Sequence, residues 1–288
     1  DGRLTLNELF KAFDSLQSRG WIKHQVSTSC GLPVWSYCTR KQGQAIWLLA
    51  GIHGEEPAGV NALAHSIDFI EKFARDEGVP MVLLPCCNPS GYSTGSRFCD
   101  GFNSVGDSGW LIRAEEPLAP LQEARDLSRF VLETSKAYPV AFSVDLHEDC
   151  LPTVVSEARS YIYSQGSAGP ADKLAAVAVR VLKNSGLPPL QSGRTRFGET
   201  IIDGIVGSTN DGSIDELLSA SEVFNVSDWS SIPDERKTLI KVPGPHAATS
   251  LVIETPGITF LPQRIAGQQA VIHSIPEMWH LHQSRQSL

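Results

Sequence analysis

Several features that mark large classes of protein are missing from this sequence of 288 residues. No apolar run approaches the length of a membrane span. No basic cluster is present either, and the formal net charge is -8, whereas nucleic acids and anionic membranes both need a concentrated positive patch. We therefore expect neither a nucleic acid nor a membrane as the main partner.

Targeting signals and cysteine motifs are also scarce. The first residues contain no basic region followed by an apolar stretch, so no signal peptide is predicted, although one already removed would leave no trace. The six cysteines show no Cys-x-x-Cys spacing of the kind that binds zinc, and free thiols in a reducing compartment are favoured. These features predict a cytoplasmic location.

The composition is that of a globular protein. With 41% apolar residues, the chain has enough hydrophobic side chains for a substantial core. No internal repeat, low-complexity tract or clear interdomain linker is visible. We therefore expect one α/β domain over residues 1–288.

Short apolar runs alternate with helical patterns along the chain. Buried strands are predicted at residues 45–50, 79–84, 140–149 and 249–253, with a weaker strand at residues 160–164. A hairpin around Gly31 precedes them, and helices are predicted at residues 4–19, from Pro57, and at residues 115–134, 171–182 and 263–283. Residues 85–110 and 186–212 are predicted as long loops, and His280 and His282 as surface residues.

Four ionisable side chains lie where predicted strands end. His53 and Glu56 occupy the turn between a strand and the helix that starts at Pro57, a residue suited to the first helical turn. His147 falls at the end of the strand over residues 140–149, and Glu254 follows the last strand. In a largely parallel sheet these side chains would converge on one edge, where ligands bind in open α/β folds.

This combination of residue types predicts a metal site. Two imidazoles and one carboxylate form the protein part of a catalytic zinc site, which leaves one position for a water whose pKa the metal lowers to about 7. His53, Glu56 and His147 supply that set. Glu254, if it lies close by without touching the metal, could take a proton from that water and pass it to a leaving amine.

The sequence resembles the zinc carboxypeptidase-like metallohydrolases, a superfamily that includes succinylglutamate desuccinylase and aspartoacylase. The resemblance covers roughly residues 26–257 and rests on motifs in this order: Gly-Ile-His-Gly-Glu-Glu-Pro at 51–57, Asn-Pro-Ser-Gly at 88–91, Arg97, Asp-Leu-His at 145–147 and Glu-Thr-Pro at 254–256.

The resemblance implies a single three-layer α/β/α sandwich around a mixed, largely parallel sheet. It also implies that His53, Glu56 and His147 hold zinc, that Glu254 is the general base and acid, and that Arg97 polarises the scissile carbonyl.

The sequence departs from the carboxypeptidase pattern at one position. Those enzymes carry an Asn-Arg pair that grips the terminal carboxylate of the substrate, whereas the corresponding residues here are Asn103-Ser104. Asn103 stays a predicted substrate-binding residue. The candidates for the missing charge are Arg113, Arg194 and Arg196, and Tyr161 and Tyr163 are the candidates for the tyrosine that lies over the substrate.

The leading prediction is zinc-dependent hydrolysis of an amide bond in a small or modified peptide, as in a metallocarboxypeptidase. Deacylation of an N-acyl amino acid would use the same metal and differ only in the pocket, and the sequence does not separate the two. A non-catalytic zinc-binding protein on the same fold is a third possibility. The retained ligands and Glu254 argue against it.

Overall fold

The computed structural model describes residues 2–98, 122–150, 159–166, 169–209, 213–224 and 241–286. These residues form a ten-stranded mixed sheet with helices packed on both of its faces. Among the helices in these ranges, none has the length and apolarity needed to cross a membrane. The three-layer arrangement agrees with the predicted sandwich.

The strands are β1 (Ile22–Ser29), β2 (Leu32–Cys38), β3 (Ala45–Ala50), β4 (Met81–Leu84), β5 (Val140–Asp149), β6 (Tyr161–Gly166), β7 (Ser192–Arg194), β8 (Thr200–Ile202), β9 (Ile205–Val206), β10 (Glu222–Phe224), β11 (Lys241–Pro243) and β12 (Thr249–Pro256). Their order in the large sheet is β1-β2-β4-β3-β5-β12-β6-β9-β8-β7, and β10 pairs with β11 separately. The central strands β4, β3, β5 and β12 run parallel. Most of the outer pairs are antiparallel, so the sheet is mixed with a parallel centre.

The helices are α1 (Leu6–Ser18), α2 (Pro57–His65), α3 (Ile67–Asp76), α4 (Pro89–Thr94), α5 (Gln122–Ala137), α6 (Lys173–Asn184), α7 (Ile214–Ser219), α8 (Leu261–His273) and α9 (Ile275–Gln286), with a 3-10 turn at Gly169–Ala171. One face of the sheet packs against α1, α2, α3, α6, α8 and α9. The other face packs against α5 and α7.

Strand β3 illustrates how the sequence produces a sheet covered on both faces. All of its residues are buried. Ile46 and Leu48 belong to the core shared with α2, whereas Trp47 and Leu49 belong to the core shared with α5. Because successive side chains of a strand point to opposite faces, a continuous apolar run is what a central parallel strand requires. The prediction of a buried strand here is confirmed.

Other elements match the predictions within a few residues. The hairpin around Gly31 is formed by β1 and β2, and the predicted strand at residues 79–84 begins at Met81. Helix α5 is described from Gln122, so the predicted helical residues 115–121 lie outside the described ranges. The described cysteines, Cys30, Cys38, Cys86, Cys87 and Cys150, are free thiols, as expected.

Four predictions of secondary structure or exposure are wrong. Residues 186–212 are not merely a loop, because they contain β7, β8 and β9, each too short for a sequence pattern to reveal. The predicted C-terminal helix is two helices, since α8 ends at His273 and Ser274 caps it. His282 is buried against Trp279 and Phe142 instead of lying at the surface. In the predicted loop at residues 85–110, Pro89–Thr94 form the short helix α4.

Candidate active site

The turn between β3 and α2 carries the first two predicted metal ligands. Gly51 leaves the strand with φ of +68°, and a Cβ at this position would lie 2.8 Å from Val60. Glycine is therefore required both for the backbone conformation and for the space. Glu56 is the N-cap residue of α2 and Pro57 follows it in the first turn, where its missing N–H has no partner to lose.

The three predicted ligands meet in the structure and are almost fully buried. Oε1 of Glu56 lies 2.7 Å from Nδ1 of His53, and Oε2 lies 3.0 Å from Nδ1 of His147. The ligand atoms of these residues all lie within 4.8 Å of one another. His53, Glu56 and His147 thus form a candidate metal site.

The donor set of this site fits zinc. Two imidazole nitrogens and a carboxylate are the protein ligands of many catalytic zinc sites, and here both Nδ1 atoms face the same carboxylate. Nε2 of His147 lies 3.1 Å from Oδ2 of Asp145, in an ion pair rather than a well-aligned hydrogen bond. An outer carboxylate of this kind fixes the orientation of a ligating imidazole. Sequence reasoning missed this role, although Asp145 stands two positions before His147 and therefore lies on the same face of β5.

The site residues strongly perturb one another's protonation. Burial acts to raise the pKa of Glu56, but the charges of His53 and His147 outweigh it and bring the pKa below its ordinary value. Burial acts to lower the pKa of His147, but Asp145 and Glu56 outweigh it and raise the pKa well above its ordinary value. Buried carboxylates with strong electrostatic influence on nearby imidazoles make a favourable environment for a cation.

Glu148 supports the ligands from the opposite face of β5. Its backbone N–H donates to Oε2 of Glu56 at 3.1 Å, and its side chain accepts from the N–H of Ala58 at 2.8 Å. The same carboxylate forms a buried ion pair with Arg264, and burial raises its pKa to about 7. Glu148 therefore ties β5 to the first turn of α2 and to α8.

Glu254 lies within β12 and not beyond its end, because that strand continues to Pro256. Glu254 pairs in register with His147 of β5 on one side and with Tyr161 of β6 on the other. Opposed residues on neighbouring strands project from the same face, so these three side chains form a row. Burial raises the pKa of Glu254 to about 8, with Glu56 and Asp149 adding to the effect and His147 opposing it.

Arg97 is held beside the ligands by the Asn-Pro-Ser-Gly segment. Asn88 caps α4 by accepting from the N–H of Gly91, and its amide nitrogen donates to the backbone carbonyl of Arg97 at 3.0 Å. Nη1 of Arg97 then donates to Oε1 of Glu55 at 3.0 Å and to Oε1 of Glu56 at 3.2 Å. The motif thus positions the backbone that carries the guanidinium.

A cavity of about 390 Å³ connects these groups, a volume suited to a small ligand. The described residues that line it include the three candidate ligands, Arg97 and Glu254. Further lining comes from β6, from the segment between β7 and β8, and from α7, and it includes Tyr161, Tyr163, Arg196, Phe197, Glu199, Ile214 and Asp215.

Two of the arginines proposed to bind a substrate carboxylate, Arg194 and Arg196, differ in their position relative to the cavity. Arg196 lines the cavity, and its Nη1 lies 3.2 Å from Oδ1 of Asp149. Arg194 is exposed, donates to the carbonyl of Gly198 at 3.2 Å, and is not among the described lining residues. The other predicted substrate-binding residues, Asn103 and Arg113, lie outside the described ranges.

Both candidate tyrosines line the cavity, and each donates a hydrogen bond to a carboxylate. The hydroxyl of Tyr161 donates to Oδ2 of Asp149 at 3.0 Å, and that of Tyr163 donates to Oε2 of Glu199 at 2.8 Å. The two rings pack edge to face with centroids 5.6 Å apart. Together they form a fixed aromatic wall beside Glu254.

No family model and no curated protein sequence matches this chain. Among solved structures, it is similar to a candidate metallopeptidase from Shewanella baltica, with a TM-score of 0.72 at 20% identity over 95% of this chain and 92% of that one. It is also similar to bovine thrombin-activatable fibrinolysis inhibitor, with a TM-score of 0.59 at 12% identity over 96% and 97% of the two chains.

A third similar structure is a metallo-carboxypeptidase from Burkholderia cenocepacia, with a TM-score of 0.55 at 13% identity over 96% of this chain and 68% of that one. Identities this low establish the fold and leave the activity open. The chain has the zinc carboxypeptidase-like fold, with a candidate metal site formed by His53, Glu56 and His147.

Proposed function

We propose that this protein is a zinc-dependent hydrolase that cleaves an amide bond in a small or modified peptide. The observation that carries the proposal is that the candidate metal site, Arg97 and Glu254 all line one cavity. His53, Glu56 and His147 would hold the ion. When bound, zinc supplies a Lewis acid that polarises the substrate carbonyl and lowers the pKa of water.

Glu254 is our candidate for the group that moves protons. Its side chain projects beside that of His147, and its raised pKa suits a carboxyl that both accepts and returns a proton near neutral pH. In the proposed reaction, the carboxylate of Glu254 accepts a proton from the attacking water. It then donates the proton to the leaving nitrogen as the C–N bond breaks.

Arg97 is our candidate for the group that stabilises negative charge on the carbonyl oxygen. A guanidinium offers five N–H donors and stays protonated at all relevant pH values. Its contact with Glu56 holds it next to the ligands, which is where that charge would develop.

The test is an activity screen of the zinc-loaded protein. The panel should contain dipeptides with free carboxyl termini and N-acyl amino acids, since a carboxypeptidase and an amide deacylase share this machinery. We expect zinc-dependent hydrolysis within one of the two sets and none by the His53→Ala, His147→Ala double variant. Tight zinc binding without hydrolysis in either set would favour a non-catalytic binding protein.

A further inference from the structure

The connection between β7 and β8 presents a basic side chain to the cavity on an ordered turn. The hydroxyl of Thr195, which is buried, accepts from the backbone N–H of Phe197 at 3.2 Å and from that of Glu199 at 3.3 Å. The Thr195 N–H also donates to the carbonyl of Glu199 at 2.9 Å. These bonds define the backbone of the turn, and Arg196 lies within it.

The guanidinium of Arg196 is anchored from the main sheet. Asp149, the last residue of β5, lies 3.2 Å from Nη1 of Arg196 and has a buried side chain. The other oxygen of that carboxylate accepts the hydroxyl of Tyr161 at 3.0 Å. Asp149 is thus tied to β6 as well, so it holds Arg196 against a rigid part of the fold.

The anchored guanidinium remains accessible to a ligand. The Arg196 side chain is 29% exposed, and the ion pair with Asp149 engages one of its nitrogens. A guanidinium has five donors in a planar fork that matches a carboxylate, so a second carboxylate can be bound alongside the first. Phe197, which also lines the cavity, is 65% exposed and offers an apolar contact next to it.

The charges of the cavity wall indicate where an anionic group of a ligand would bind. Glu199 and Asp215 line the cavity and would repel a carboxylate. Two arginines, Arg97 and Arg196, are among the described lining residues. Arg97 contacts two carboxylates, that of Glu55 and that of the candidate ligand Glu56, whereas Arg196 pairs with one, that of Asp149.

We propose that Arg196 binds a carboxylate of the substrate and thereby selects substrates that carry a free carboxylate on the part of the molecule held in this cavity. This proposal rests on the proposed function and specifies its substrate class. In this proposal Arg196, on the β7–β8 turn, supplies the positive charge that carboxypeptidases obtain from an arginine at the position of Ser104. Asp149 acts as a positioning residue for that charge.

Kinetics with a matched pair of substrates test the proposal, using a free acid and its carboxamide. For Arg196→Gln we expect KM for the free acid to rise about tenfold or more, as for the loss of a charge-assisted hydrogen bond, with little change for the amide. Arg196→Lys should fall between, because it keeps the charge but loses the planar fork. Arg194→Gln is the matched control and should behave like the wild type with both substrates.

Equal losses for acid and amide in Arg196→Gln, or unchanged kinetics, would overturn the assignment. A calorimetric titration separates it from the proposed function. In that experiment, a benzoyl amino acid and its amide are titrated into zinc-loaded wild-type and Arg196→Gln proteins. A preference for the acid that disappears in the variant supports Arg196 even if no hydrolysis is ever detected, whereas a wild type without that preference refutes the proposal.

Discussion

At the scale of single residues, Glu254 and Glu148 both lie near the candidate ligands but have different neighbours. Both carboxylates are among the residues that line the cavity, but Glu254 lies beside His147 on the neighbouring strand. Glu148 accepts from Ala58 and pairs with Arg264 on the other side of β5. We therefore expect opposite consequences when each carboxylate is replaced by its amide.

Glu254→Gln should keep the fold and the metal but lose most of the activity. The amide has the same shape and cannot accept a proton, and removing a general base commonly lowers kcat by about 10²–10⁴, equivalent to about 3–5 kcal/mol. The measurement is kcat together with the zinc content of the purified variant. Near-normal turnover at full zinc content would move the role of base to another carboxylate.

Glu148→Gln should instead lower stability. Its amide leaves the buried charge of Arg264 without a charged partner, and breaking a buried pair in this way costs about 3–5 kcal/mol of unfolding free energy. Urea unfolding monitored by circular dichroism measures that loss. A variant of wild-type stability with a specific defect in kcat would show that Glu148 acts in the chemistry.

Arg97→Ala should lower kcat more than it raises KM. If the guanidinium acts on charge that develops only in the transition state, its removal affects the chemical step more than ground-state binding. The same acid and amide substrates serve here, and both should be affected alike. A purely KM effect confined to the free acid would show that Arg97 grips the carboxylate, which would also contradict the role given to Arg196.

At the scale of secondary-structure elements, the packing of the ligand-bearing turn against α4 sets the position of the site. A Cβ built on Gly54 would lie 1.9 Å from the carbonyl carbon of Gly91 and 2.3 Å from the backbone nitrogen of Tyr92. Both are backbone atoms, which cannot rotate away. Any side chain at residue 54 therefore has to push the turn and α4 apart.

Gly54→Ala should weaken zinc binding and lower the melting temperature together. The matched control is Gly31→Ala in the β1–β2 turn, where φ is +84° and no atom lies within 4 Å of the added Cβ. That variant should lose stability through backbone strain alone and keep the zinc affinity of the wild type. Unchanged zinc affinity in Gly54→Ala would mean that the turn tolerates the displacement.

Some secondary-structure elements could be predicted from the sequence. The continuous apolar run of β3 and the alternating apolar residues of β5 identify these two strands in the sequence. Their carboxyl ends indicated that His53, Glu56 and His147 lie close together, and the structure places them so. The end of β12 was misplaced because Glu254 and Thr255 are polar, and a hydrophobicity pattern stops at the first charge.

Contacts between distant segments could not be read in this way. Arg194 and Arg196 are indistinguishable in the sequence. The structure distinguishes them, because Arg196 lines the cavity and pairs with Asp149 at the end of β5. His282 looked like a surface residue in a polar helix end. Its burial depends on the packing of α9 against Phe142 of β5, which no local pattern records.

At the scale of the whole molecule, the metal should contribute to folding stability. A ligand that binds the native state alone stabilises it by about 2.7 kcal/mol at a free concentration 100 times its Kd. We expect zinc to raise the melting temperature of the wild type and magnesium to have little effect, because magnesium prefers an all-oxygen shell. Calorimetric scans of metal-free and zinc-loaded protein provide the measurement.

The His53→Ala, His147→Ala double variant is the control for that experiment, since it removes both imidazoles. Its melting temperature should not respond to zinc. An equal rise in the wild type and the double variant would place the zinc elsewhere on the molecule.

The order of strands in the sheet has a further consequence, for the folding of the chain. The candidate ligands and Glu254 lie on the turn after β3, on β5 and on β12, and these three strands are neighbours in the sheet, yet 92 positions separate Glu56 from Glu148 along the chain. Parallel pairing between such distant segments forms slowly, because the entropy cost of closing a long loop must be met before any stabilising contact forms. The site therefore comes into existence only when the centre of the sheet has assembled, and tight zinc capture during refolding would be a late event that marks completion of the core.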